Sequence, residues 1–263
     1  MKSENSAQIQ KACARQAAGF ESRNMNFSKR DYLDYAVACA APEPSDALLE
    51  VAAGTCVCGR AFAPRVRSVV CLDMTAAMLE IGKAAAERDR LQNIKFMQGN
   101  AAELPFADGS FDIAFSRLAF HHFPEPETPF SEMARVLKPG GKLVMIDMAA
   151  AEEPLRKTED ALEILRDPSH VRNLSRSEML ALYEARGLFV ERCETVRMPV
   201  RFDSRMTHTA APPETQAVIR ARIESELAGG APTGLYPYRR ESAIMFDQRW
   251  TLIIGRKPIA GRA

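Results

Sequence analysis

Between residues 45 and 150, short apolar runs alternate with stretches of helical period, and that alternation narrows the fold more than any other feature. Ala47-Leu48-Leu49-Glu50-Val51-Ala52 is a run of the kind found in strands buried on both faces. Ser68-Val69-Val70-Cys71-Leu72-Asp73 is a second. From Met74 to Arg88 the period changes, with Met74, Met78, Ile81 and Ala85 near helical spacing and charges opposite. Strand signals return at Ile94–Met97, Phe111–Phe115 and Lys142–Ile146, and Pro139-Gly140-Gly141 stops a helix ending near Leu137. Strands joined through helices need crossover connections, so the expectation is an α/β fold on a parallel sheet.

Beyond residue 150 the reading is coarser. Helices are expected over 153–166, over 177–186 behind a Ser175/Glu178 capping box, and over 214–228 on Ile219, Ile223 and Leu227. Phe189–Pro199 suits a strand, 201–213 is expected to be irregular, and Trp250–Ile254 closes as the last strand. The 35 basic and 34 acidic residues leave a net charge of +1, which argues against phosphate-dominated nucleic-acid binding. No stretch approaches roughly 18 uncharged apolar residues, so no membrane span is expected. The start of the chain lacks the apolar core of a secretory signal, and the expected location is cytoplasmic, with reduced cysteines. The expected organisation is one compact unit: a helical lid over 1–44, a cofactor-binding core over 45–150, and acceptor-pocket helices and final strands over 151–263.

In an open parallel sheet, ligands sit at the carboxyl ends of the strands. The first strand ends in Ala52-Ala53-Gly54-Thr55, whose small residues bring backbone amides close to a ligand. The second ends at Asp73, where a carboxylate can accept both hydroxyls of a ribose. The third leads to Asn100-Ala101, where an amide can both donate to and accept from an adenine edge. A nucleoside-bearing cofactor is implied, and the scarcity of glycines in the first loop disfavours a pyrophosphate.

At this point the sequence resembles the class I S-adenosylmethionine-dependent methyltransferases, in the tone of their quinone-type and small-molecule branch. Leu48-Leu49-Glu50-Val51-Ala52-Ala53-Gly54-Thr55 looks like their first motif, and Asp73-Met74-Thr75 like their acidic ribose segment. Asn100-Ala101-Ala102-Glu103-Leu104-Pro105-Phe106 resembles the adenine segment. Phe111–Ser116 and Glu132–Gly141 match the fourth strand and the turn into the fifth. Gln16–Phe20 is similar to the amino-terminal helix that folds over the cofactor.

The resemblance implies a doubly wound, Rossmann-like, mostly parallel seven-stranded sheet with an antiparallel last strand, and helical additions at the amino terminus and after the fifth strand. It implies S-adenosylmethionine as cofactor, held by Phe20, Glu50, Ala52, Ala53, Gly54, Thr55, Asp73, Met74, Asn100 and Ala101, with the backbone near Arg117 facing the methionyl ammonium. Glu50 stands where the family usually has Asp, and Ala52 and Cys56 where it usually has glycine. Cys56 is the departure able to weaken binding or change the pose, with cofactor binding expected to be retained.

The implied reaction is displacement at the sulfonium methyl by carbon, oxygen or nitrogen of a small acceptor, apolar or aromatic. A base is needed only if the acceptor must lose a proton. His121, His122, Asp147 and His170 are the candidates, and no metal is expected. Two other classes compete: a cofactor-binding or regulatory protein on the same fold, and an NAD-dependent oxidoreductase. Bound nucleoside discriminates among the three. A monomer or homodimer is expected.

Overall fold

The computed structural model describes residues 9–13 and 30–259. Helix α1 (Arg30–Ala40) leads into β1 (Ala47–Val51), α2 (Val57–Phe62), β2 (Ser68–Asp73), α3 (Ala76–Arg88) and β3 (Ile94–Gln98). Then come β4 (Phe111–Arg117), α4 (Glu127–Val136), β5 (Leu137–Met148), α5 (Arg156–Arg166) and α6 (Arg176–Glu184). The chain ends in β6 (Phe189–Arg201), α7 (Phe202–His208), α8 (Pro213–Leu227), β7 (Tyr238–Arg240) and β8 (Ala243–Arg256). Residues 9–13 are helical.

The strands form one sheet in the order β3-β2-β1-β4-β5-β8-β6, with β7 paired to β8 off this path. Strands β1 to β5 are mutually parallel, and β8 runs antiparallel between β5 and β6. This is the expected mostly parallel, doubly wound sheet with its last long strand reversed; β7 adds a short eighth strand.

Every residue of β1 is buried, which is why its sequence shows no polar alternation. Successive side chains still point to opposite faces. Leu48 packs with Val69, Ile113, Phe115 and Val144 under α1 and α2, while Leu49 packs with Ala114, Leu143 and Met145 under α4 and α6. Each such aliphatic side chain contributes about 1.5–3 kcal/mol on burial. The Ser175 side chain accepts from the backbone N–H of Glu178, and Glu178 answers onto Ser175, closing the capping box of α6.

Two segments differ from the sequence expectation. Residues 202–208, expected irregular, form α7, whose Phe202 and Met206 join Leu162, Ile219, Ile223 and Phe246 in a satellite cluster. Strand β8 begins at Ala243 rather than near Trp250. Trp250 pairs with Met148 at the carboxyl end of β5, so Ala243–Arg249 overhangs the sheet's carboxyl edge, paired with the end of β6. Asp247, Gln248 and Arg249 break the apolar run where the strand leaves the core. This overhang supplies one wall of the site.

Candidate active site

The strand order reverses at β1, which has β2 on one side and β4 on the other. Over its carboxyl end opens a cavity of about 520 Å³. Glu50, Ala52, Ala53 and Gly54 line its floor, with Asp73 and Met74 from the end of β2, Asn100 and Ala101 beyond β3, and Arg117 at the end of β4. The position is the one expected for ligands of open α/β sheets.

The first loop turns through three left-handed residues, Ala52 (φ 53°), Gly54 (φ 55°) and Cys56 (φ 59°). An L side chain in that region costs about 1–2 kcal/mol, which explains the usefulness of glycine at these places. Cys56 is fully buried and faces Cys71 and α3 rather than the cavity. The thiol points into the core and stands outside the cavity lining, consistent with the expected retention of cofactor binding. Thr55 is also buried, outside the cavity lining. Helix α3 approaches the loop closely at Gly82, where a Cβ would stand 2.6 Å from the Thr55 carbonyl oxygen.

Asp73 ties the cradle together. One carboxylate oxygen accepts from the Gly54 N–H at 2.7 Å and the other from the Thr75 N–H at 2.8 Å, and the residue lines the cavity. Burial raises this carboxyl above its ordinary value, against those N–H bonds. Asn100 uses its Oδ1 on the Ala102 N–H at 3.0 Å, so its amide nitrogen is the group left for a purine ring nitrogen. At the base, Glu50 accepts from the Gly59 N–H at 2.8 Å and from the Cys71 thiol at 3.4 Å. Burial pushes its carboxyl up to about 7.

Ile9 and Cys13 close the cavity above Asp73, and the Gln10 side chain donates to the Met74 carbonyl at 3.2 Å. The half-buried Cys13 thiol is pushed up to about 12 by desolvation and by the nearby Asp73 and Asp167. Phe20, expected in the same covering helix, lies outside the described residues.

A family model described as a methyltransferase domain matches residues 49–145. The chain is 36% identical over 173 residues to the Bacillus subtilis protein named uncharacterized methyltransferase YcgJ, covering 65% of this chain and 68% of that one. The crystal structure of that protein superposes with a TM-score of 0.79 at 29% identity, over 88% of this chain and 99% of the other. The uncharacterized protein YafE of Escherichia coli is 38% identical over 164 residues, 62% of this chain and 79% of the relative. The chain is a class I S-adenosylmethionine-dependent methyltransferase. Its core is also 40% identical over 106 residues to a demethylmenaquinone methyltransferase of Renibacterium salmoninarum, covering 40% of this chain and 43% of that one.

The methyltransferase's own residues fit the cofactor. A carboxylate at the end of β2 suited to a diol, an amide nitrogen suited to a purine edge and a second, buried carboxylate beneath a left-handed loop line one continuous cavity.

The other half of the cavity is built by residues far apart in sequence. His121 and His122, in the turn after β4, both line it, their ring centroids 4.1 Å apart. Nδ1 of His121 lies 2.7 Å from Oδ1 of Asp147, the end of β5. Asp147 is buried beneath the lining; its Oδ2 accepts the N–H groups of Ala119 at 3.0 Å and Phe120 at 2.6 Å, and Oδ1 that of Met148 at 2.7 Å. Burial alone would raise its carboxyl, but His121 and these N–H groups hold it below the ordinary range.

His122 approaches the Ser169 carbonyl oxygen at 2.9 Å, and burial drives its imidazole down to about 3, so the methyltransferase carries it neutral. His170 is buried outside the lining, its Nε2 3.0 Å from Asp160, and its ring packs 5.4 Å from His121. The structure thus brings His121, His122 and Asp147 together and leaves His170 as a packing neighbour.

Sequence patterns left out Cys13, Arg166, Asp167, Arg201, Ser204, Arg205, Gln248 and Trp250, which also line the cavity of the methyltransferase. The only local signal was the run Ile244-Met245-Phe246, which a reader could have taken as strand.

Proposed function

We propose that this methyltransferase acts on a small molecule that gives up a proton as it is methylated, with His121 as the catalytic base and Asp147 as its positioning residue. The observation that carries the reading is that His121, backed by Asp147 beneath it, lines the same cavity as Asp73 and Gly54. An ionised Asp147 accepts the Nδ1–H of His121, which fixes the tautomer and leaves Nε2 as an acceptor on a side chain that lines the cavity. Neutral His122 beside it adds no positive charge that would suppress proton uptake.

S-adenosylmethionine, when bound, supplies a methyl group already activated by the sulfonium. The chain's contributions are therefore alignment, exclusion of water and removal of the acceptor proton. Asp73 would hold the ribose, Asn100 and Ala101 the adenine, and Gly54 with Glu50 the amino-acid end. His122, Arg166, Arg205 and Trp250 would line the acceptor side. The demethylmenaquinone methyltransferase resemblance supports an apolar acceptor ring.

The test is fractionation. A cell extract divided into molecules below and above about 1 kDa is offered with S-adenosylmethionine, and S-adenosylhomocysteine formation is followed. Stimulation by the low-mass fraction is expected, and stimulation by the retained fraction alone would overturn the reading. His121→Ala should lower kcat by about 10²–10⁴, the usual range for general-base loss, while S-adenosylhomocysteine affinity stays within a few-fold.

A further inference from the structure

The roof of the acceptor half is unusually rich in guanidinium groups. Arg166, Arg201, Arg205 and Arg240 line it, brought together from α5, the end of β6, α7 and β7. Two carboxylates accompany them. Glu163 lies behind the lining, where its Oε2 accepts from Arg166 Nη2 at 2.7 Å and from Arg205 Nη2 at 2.5 Å. Asp167 accepts from the Ser169 N–H at 3.0 Å and the Ser169 hydroxyl at 2.5 Å. Arg166 and Arg205 thus share one Glu163 oxygen, while Arg201 and Arg240 are exposed on the rim.

Arg205 is the best defined of the four. It retains 9% relative exposure, and its guanidinium is held by Glu163, by the Met148 sulfur at 3.7 Å and over the Phe246 ring. Its Nε–H has no hydrogen-bond partner in the protein. Burial and the neighbouring Arg166 lower this guanidinium to about 10, so it is still charged at neutral pH. A buried, fixed, charged donor with an unused N–H costs free energy until an acceptor reaches it. Pro199, Val200, Met245 and Trp250 give this part of the lining an apolar wall, with Ser204 and Gln248 as polar neighbours, neither of which bonds the Arg205 Nε–H.

We infer that the acceptor carries an oxyanion, a carboxylate or a phosphate, bound at the Arg205 end of the cavity while its apolar body lies against Met245 and Trp250. This deepens the small-molecule reading above and rests on it: the anion anchors one end of the acceptor, and the atom to be methylated faces His121. Guanidinium groups suit such a ligand because their paired N–H donors match oxyanion geometry.

Matched probes test it by calorimetry on the protein saturated with S-adenosylhomocysteine, so that only the acceptor half is open. 4-Phenylbutyrate is compared with 4-phenylbutyramide, and phenyl phosphate with phenol. At least one anion is expected to bind ten-fold or more tighter than its neutral partner, and which one does so separates carboxylate from phosphate. Arg205→Met should abolish that preference without changing S-adenosylhomocysteine affinity.

If Arg205→Met does not fold, Arg201→Gln/Arg240→Gln on the rim should reduce the preference several-fold, and inorganic phosphate should displace the bound anion from the wild type. Equal affinity within each pair, or no measurable binding of either anion, overturns the proposal. The failure of the small-molecule reading would show separately, as S-adenosylhomocysteine formation driven only by macromolecules.

Discussion

Asp73 and Glu50 are two carboxylates in one cradle with different demands. Asp73 accepts from the Gly54 and Thr75 N–H groups and lines the cavity. Hydrogen bonds to a charged acceptor contribute about 1.5–3 kcal/mol each. Asp73→Ala should therefore weaken S-adenosylhomocysteine binding by roughly ten- to a hundred-fold in a calorimetric titration, allowing for the loop's own loss of order. Glu50 is buried with too few donors, so its folded value lies near 7, above the 4.5 of a free carboxyl. Between those two values the folded state holds a proton that the unfolded chain has released. Stability of the cofactor-free protein should thus fall as pH rises from about 4.5 to 7, by on the order of 3 kcal/mol from this group, in denaturant titrations at fixed ionic strength. Glu50→Gln should flatten that slope. At the neighbouring turn, Cys56 and Ala52 occupy left-handed conformations that glycine would adopt freely; Cys56 stays out of the cavity, while Ala52 lines its floor.

At the scale of elements, the site depends on how closely α3 sits on the first loop. A Cβ at Gly82 would stand 2.6 Å from the Thr55 carbonyl and 3.1 Å from the Cys56 sulfur. Backbone cannot give way there without moving the loop that carries Gly54. Gly82→Val is expected to cost several kcal/mol, an overpacking penalty at the upper end of the usual 1–3 kcal/mol. It should also weaken cofactor binding; a variant with unchanged Tm and unchanged affinity would show that α3 can shift freely. The overhang of β6 and β8 plays the corresponding part on the other side. Held by the satellite cluster of Leu162, Phe202, Met206, Ile219 and Ile223, it carries Arg201, Met245 and Gln248 over the carboxyl edge of the sheet.

For the molecule as a whole, the cavity joins residues 9–13 to the core and to the carboxyl-terminal elements, so a ligand there links all three parts. Saturation with S-adenosylhomocysteine at about 100 times its Kd should add about 2.7 kcal/mol by mass action. In a chain of this size that corresponds to a rise in Tm of about 5–10 °C by scanning calorimetry. A ligand shift should appear in one cooperative transition; an early transition insensitive to ligand would mean that part of the chain unfolds independently of the site.

The sequence by itself determined the parallel core, the order of its strands along the chain, and the residues at the strand ends that line the cavity floor. Those features are local: a strand buried on both faces shows as an apolar run, and the residues proposed to hold the cofactor, such as Gly54, Asp73 and Asn100, lie where such runs end. Only the tertiary structure decided the acceptor half. His121 meets Asp147 because β4 and β5 are neighbours in the sheet, and Arg205 meets Glu163 because α7 folds back on α5. No periodicity carries such pairings, since each joins residues from separate elements whose individual patterns are satisfied in many arrangements. The same reason hid the first half of β8: Gln248 faces a cavity that exists only once the sheet and its overhang have come together, and Asp247 and Arg249 meet Tyr238 and Glu159 from other elements.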